Sequence, residues 1–162
     1  MTIYQPIGVI HSPFRDQEGM PIQPMGAQGT PGWIEINDDY TEGLRDLEGF
    51  SHIILLYHFH LSNGFDIELT PFLDDTKRGV FATRAPRRPN PIGLSVVKLV
   101  GIEGKILKIE NMDIVDGTPL LDIKPYIPAF DIVADATSGW FEGKEKRIGN
   151  IRADDRFSKE NG

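Results

Sequence analysis

Apolar residues in this chain gather in short β-type runs, over positions 3–10, 33–36, 53–59, 80–83, 94–102, 106–109 and 120–123, with turn formers between them at close intervals. Only 41–47 hints at a helix, with Thr41 as N-cap and Glu42 and Asp46 on its polar side, and Gly43 within it lowers the helix propensity. Glu103-Gly104 separates VVKLV from KILKI, a pattern that reads as a tight hairpin with the glycine supplying the positive φ. Many short strands and one weak helix predict an all-β barrel or sandwich in preference to a doubly wound sheet.

Two stretches interrupt the strands. Positions 19–32, GMPIQPMGAQGTPG, are too rich in glycine and proline for a helix or a central strand, and such loops often carry function. Their glycines lack the dinucleotide spacing and no Gly-Lys-Ser/Thr follows, which argues against a phosphate-cradling loop. Positions 78–98, RGVFATRAPRRPNPIGLSVVK, read as two strands around a loop stiffened by Pro86, Pro89 and Pro91. That loop presents Arg84, Arg87, Arg88 and Asn90, and planar guanidinium groups held in advance suit carboxylate or phosphate partners.

Length and charge sharpen this picture. The 162 residues suffice for one well-buried core and are too few for two ordinary domains. No apolar run is long enough to span a bilayer, and MTIYQPIGVIH lacks the features of a secretory signal, so a soluble, cytoplasmic protein without a membrane partner is expected. The absence of cysteine excludes disulfides and thiolate metal sites. The net charge of −7 is unevenly divided: residues 1–75 hold two arginines against 12 acids, whereas 76–162 hold 15 bases against 12 acids. Five of those bases fall between Lys77 and Arg88, so a local positive field can face a polyanion on an acidic protein.

Two further clusters carry candidate chemistry. His52, His58 and His60 share strand parity, a spacing a zinc site can use, yet no third-party ligand is evident and no metal is expected; His60, before the turn Ser62-Asn63-Gly64, reads as a hydrogen-bonding pocket residue. LKIENMDIVDGTPLLDIKPYIP, 107–128, carries Asp113, Asp116 and Asp122 around an Asp-Gly-Thr-Pro turn. Asp and Gly are ordinary turn formers, but that backbone with Asp116 also suits ribose hydroxyls or an amine.

Taken together, GVIHSPF (8–14), FSHIILLYHFH (50–60), GVFATRAPRRPNPIGLS (79–95) and DIVDGTPLLDIKPYIP (113–128) closely resemble the TsaA-like, or TrmO, family, in order over roughly 3–130. The resemblance implies a single-domain antiparallel β-barrel over 1–135 with few short helices, and a charged C-terminal extension over 136–162, peripheral or docked on a partner subunit. It implies an S-adenosyl-L-methionine-dependent tRNA methyltransferase acting on the exocyclic amine of threonylcarbamoyl-adenosine, next to the anticodon of threonine tRNA, and working as a homodimer.

Carried over residue by residue, the resemblance assigns cofactor contacts to Pro21, Ile22, Gln23, His60, Leu61, Arg84, Leu94, Asp116, Gly117, Thr118 and Pro119. Ile22 departs from the arginine common there in bacterial members, so its contact is expected to be apolar or through the main chain. The resemblance also leads us to expect no separate C-terminal domain of the kind found in longer bacterial members. Arg84 suits the cofactor carboxylate, Asp116 a diol or ammonium, and Leu94 the purine. Lys77, Arg87, Arg88 and Asn90 are expected to meet tRNA, with phosphate contacts that weaken in salt. Asp113 or Asp116 can serve as base for a poorly nucleophilic, urea-like nitrogen. Two other readings stay open: a non-catalytic sensor of S-adenosylmethionine or nucleotide, and a metal-dependent hydrolase using the three histidines.

Overall fold

The computed structural model describes residues 1–16 and 27–144. Six antiparallel strands close a barrel: β1 (Gly8–His11), β2 (Pro31–Ile36), β3 (His52–His58), β6 (Ile92–Glu103), β7 (Ile106–Glu110) and β8 (Thr118–Pro125), in the order β1-β2-β7-β6-β3-β8. A two-stranded ribbon of β4 (Glu68–Leu69) and β5 (Arg78–Gly79) stands beside it. The expected hairpin joins β6 to β7, with Glu103 opposite Ile106 and Gly104 at φ 59°, a left-handed position that costs glycine little.

Alternation along the strands builds the core. Ile53, Leu55 and Tyr57 of β3 and Gly93, Ser95, Val97 and Leu99 of β6 are buried, while the residues between them turn outward. Burying one such Ile or Leu side chain contributes roughly 1.5–3 kcal/mol. Register shifts at Leu99/Gly101 and at Leu56/Tyr57 bend the long strands enough to close the barrel.

Three sequence expectations change. Positions 80–83 are not a strand: Val80–Ala82 form a 3-10 turn, closed by the Thr83 hydroxyl donating to Val80 O at 2.8 Å, and Val80 is buried in a satellite core with Leu69 and Ala85. Positions 41–47 are not a helix but fall within two 3-10 turns, Asp38–Leu44 and Leu47–Gly49, with Asp46 between them at φ 67°. The first turn buries no residue, so no apolar face rewards a longer helix. Of the run 3–10 only Gly8–His11 joins the sheet, since Ile3 and Tyr4 are exposed and Pro6 offers no N–H.

After β8 the chain forms α1 (Pro128–Asp131) and a 3-10 turn at Gly139–Phe141. There the expected peripheral extension folds back on its own chain. Trp140 Nε1 donates to Ala82 O at 2.7 Å and its ring lies 5.5 Å from the Arg78 guanidinium and 5.1 Å from Lys144 Nζ. Asp74 accepts from Arg78 Nε at 2.6 Å and pairs with Lys144 at 3.2 Å, contacts that hold its carboxyl well below the usual range. Positions 145–162 of the extension lie outside the described residues.

Candidate active site

Antiparallel pairing decides which loops meet. His11 of β1 lies opposite Trp33 of β2, Pro31 opposite Glu110 of β7, Ile10 opposite Thr118 of β8, and Tyr57 of β3 opposite Gly93 of β6. The connections β1–β2, β3–β6 and β7–β8 therefore leave the same end of the barrel, and each of the candidate residues lies on one of them or on a strand end beside it. Pro21, Ile22 and Gln23, expected on the first connection, lie outside the described residues.

The third connection carries the acids. Asp116 Oδ1 accepts the Ser12 amide at 3.0 Å and lies 3.2 Å from His11 Nδ1, while the Asp116 amide donates to Phe14 O at 2.6 Å and the Gly117 amide to Ile10 O at 2.8 Å. The Ser12 hydroxyl adds a short bond to Ile114 O. The Asp-Gly turn is thus pinned to the end of β1, with the Asp116 side chain still 44% exposed. Thr118 is buried and spends its hydroxyl on Val115 O at 2.6 Å, so Thr118 builds the turn and leaves ligand contacts there to the main chain and Asp116. The His11 ring stacks on Trp33 with centroids 4.9 Å apart, and Trp33 borders an open concavity of about 550 Å³ on the outer barrel wall, shared with Pro31, Val100 and Ile106.

Asp113 turns inward. Its Oδ1 accepts from the Ser95 hydroxyl at 2.8 Å, and Ser95 Oγ lies 2.9 Å from the Tyr57 hydroxyl. Burial pushes the Asp113 carboxyl up to about 7, against the opposing pull of the Ser95 hydrogen bond, its own backbone amide and the Arg84 charge. A carboxyl that titrates near neutral pH can exchange a proton with a bound group, which is the property of a general base. Gly93 leaves room for this arrangement, because a Cβ there would overlap the Tyr57 ring.

The second connection carries the bases. Arg84, Lys77 and Asn90 are exposed, as are Leu61 and Leu94. Arg87 is buried instead: its Nε donates to Asp66 Oδ2 at 2.9 Å and Nη1 to Asn63 O at 2.5 Å. Arg88 Nη1 donates to Thr83 O and Ala85 O, at 2.9 and 3.2 Å. These two arginines stiffen the loop from within, work that the sequence reading gave to its prolines alone. Burial, followed by the neighbouring His58, holds His60 below the ordinary imidazole value. His52, at the far end of β3, is six residues from His58, about 20 Å along a strand, so the three histidines do not converge. Among the described residues no three His, Cys, Asp or Glu side chains are grouped to hold a metal.

Sequence reasoning missed Tyr57, Ser95, His11 and Trp33. The available signal was parity: Ser95 and Tyr57 are polar residues at inward positions of apolar strands.

Positions 9–132 match the model of the tRNA-methyltransferase O N-terminal domain. A probable S-adenosyl-L-methionine-binding protein of Pyrococcus abyssi is 50% identical over 157 residues, covering 97% of this chain and 85% of the relative. The tRNA (adenine(37)-N6)-methyltransferase of Escherichia coli is 37% identical over 147 residues, covering 85% of this chain but 63% of its own length. The crystal structure of TrmO from Pseudomonas aeruginosa superposes with a TM-score of 0.73 at 42% identity, covering 86% of this chain and 62% of that one. Barrel, motifs and relatives agree, and the chain belongs to the tRNA-methyltransferase O N-terminal domain family.

Proposed function

We propose that this chain is an S-adenosyl-L-methionine-dependent tRNA methyltransferase that modifies the exocyclic amine of threonylcarbamoyl-adenosine next to the anticodon, with threonine tRNA as its substrate. The observation that carries this reading is that the connections bearing Arg84, Asp113 and Asp116 leave the same end of the barrel, with the Arg84 charge acting on Asp113. The relatives named for adenine-37 N6 methylation in Escherichia coli and mouse support the reaction class.

The residues at that mouth fit the cofactor. Arg84 is a cation for its carboxylate, Asp116 offers an acceptor for a diol or ammonium, and exposed Leu61 and Leu94 offer apolar cover for a purine. His60, whose imidazole burial holds below its ordinary value, and the Gly117–Pro119 backbone complete the set, with Pro21, Ile22 and Gln23 assigned from the family pattern. Bound there, S-adenosylmethionine supplies an electrophilic methyl group on a sulfonium. The chain's own part is to align the acceptor nitrogen and to take its proton, for which Asp113 is the better suited carboxylate because burial raises it to about 7 while Asp116 is assigned to the cofactor. Lys77, Arg88 and Asn90 offer the surface for tRNA, whereas Arg87, expected there with them, is buried against Asp66 and Asn63 and serves as a buttress behind.

The test is transfer of labelled methyl to threonine tRNA carrying or lacking the threonylcarbamoyl group. Incorporation only into the modified tRNA is expected, and equal incorporation into both removes the substrate assignment. The name of the Pyrococcus relative favours a second reading, a cofactor-binding protein without transfer, which tight cofactor binding with no incorporation would support. We also propose a homodimer joined near this mouth, where Ile92 and Leu94 face outward exposed; a monomer by light scattering counts against it.

A further inference from the structure

A barrel core of Ile, Leu and Val needs no hydroxyls, and buried hydroxyls cost free energy unless paired. Ser95 is nevertheless 1% exposed and Tyr57 6% exposed. Both are paired in a single line, Tyr57 Oη to Ser95 Oγ at 2.9 Å and Ser95 Oγ to Asp113 Oδ1 at 2.8 Å. When Asp113 is ionised it only accepts, so the Ser95 proton points to Asp113 and the Tyr57 proton to Ser95. Burial, reinforced by the Asp113 charge, drives the phenol well above its ordinary value and keeps it the donor. In that ionised state the line has one polarity, with each bond strengthening the next. Two paired strands hold it, since Tyr57 and Gly93, two residues before Ser95, face each other across β3 and β6.

We propose that Tyr57 and Ser95 are positioning residues for Asp113, fixing its carboxylate at the barrel mouth as the base that receives the acceptor nitrogen's proton. This rests on the methyltransferase reading. In the step, the acceptor N–H bond breaks and its proton goes to Asp113, the nitrogen's electron pair forms the N–C bond, and the S–C pair returns to sulfur. Sulfonium and carboxylate become thioether and carboxylic acid, so charge balances without another reactant. The groups acting on Asp113 from neighbouring elements are Tyr57 of β3 and Arg84 of the β3–β6 connection. Glu110 and Asp116, flanking it in the chain, are engaged by Lys98 and His11.

The experiment compares single-turnover pH profiles of wild type, Ser95→Ala, Tyr57→Phe and Asp113→Asn, alongside carbon-13 NMR titration of the Asp113 carboxyl. Loss of the Ser95 donor moves the Asp113 midpoint and the acid limb of the rate up by about one pH unit, so the rate at pH 6 falls about tenfold and the deficit shrinks towards pH 9. Tyr57→Phe moves both the same way by less. Asp113→Asn abolishes the limb. An unmoved NMR midpoint in both hydroxyl variants overturns the proposal whether or not the protein methylates RNA. So does a moved midpoint with an unmoved rate limb, or full turnover by Asp113→Asn; in that last case the methyltransferase reading survives. Failure of wild type to transfer methyl to any tRNA sinks that reading and the catalytic role with it, and the NMR shift then reports only the coupling.

Discussion

Arg87 Nε donates to Asp66 Oδ2 at 2.9 Å, tying the centre of the arginine-rich loop to the beginning of the same connection. The guanidinium is nearly covered whereas Asp66 is about one third exposed, so removing Arg87 strips two N–H hydrogen bonds from the loop more than it strands a buried charge. Arg87→Ala is expected to lower stability by about 1–3 kcal/mol and to loosen residues 62–90, read as a lower urea midpoint and faster amide exchange there.

Lys77 gives the opposite signature. It is exposed, and no shift in stability is expected from Lys77→Ala. Its affinity for tRNA should fall uniformly across sequences, with the slope of log K against log salt reduced by about 0.9 if one phosphate contact is lost. An unchanged slope would remove Lys77 from the RNA surface.

The contrast between these two bases marks what the sequence could tell. Strand runs, the Glu103-Gly104 hairpin and the Asp-Gly turn were legible because alternation and turn chemistry are local. Which arginine of Arg84, Arg87 and Arg88 faces solvent was not, because it depends on Asp66 and Asn63, more than 20 residues away in the chain. The same holds for 80–83, where a strand-like pattern yields to a turn once Val80 finds Leu69 and Ala85. The Tyr57-Ser95-Asp113 line joins three elements and left only a parity trace.

Gly93 should tolerate no side chain. A Cβ there meets the Tyr57 ring on one side and Phe59 on the other, so Gly93→Ala forces the phenol out of its rotamer. The expected cost is about 1–3 kcal/mol, with Tyr57 fluorescence altered. A variant with wild-type stability and spectrum would mean that the ring moves aside freely.

His11 links the Asp116 carboxylate at 3.2 Å to the Trp33 ring at 4.9 Å. His11→Ala removes one of the two groups that aim Asp116, leaving the Ser12 amide. Cofactor affinity is expected to weaken about threefold to tenfold, as befits one hydrogen bond of modest net worth. Trp33 emission should change with it, and calorimetry with unchanged affinity would free Asp116 from this support.

Asp113 also predicts how stability depends on pH. Its carboxyl is raised from 3.8 in the unfolded chain to about 7 in the fold. The native state therefore binds more protons than the unfolded state between those values, and stability must fall as pH rises from about 4 to about 7, then level off. Below the unfolded value the group imposes no penalty; above the folded value it imposes the full one, at most about 4 kcal/mol. Asn at this position has no charge to desolvate and still accepts from Ser95. Urea unfolding of wild type and Asp113→Asn at pH 4.5, 6 and 8 isolates the Asp113 contribution, because the other titrating groups cancel in the difference. The variant should gain on wild type as pH rises, and a difference that stays flat across that range would mean the carboxyl is not buried as its contacts require.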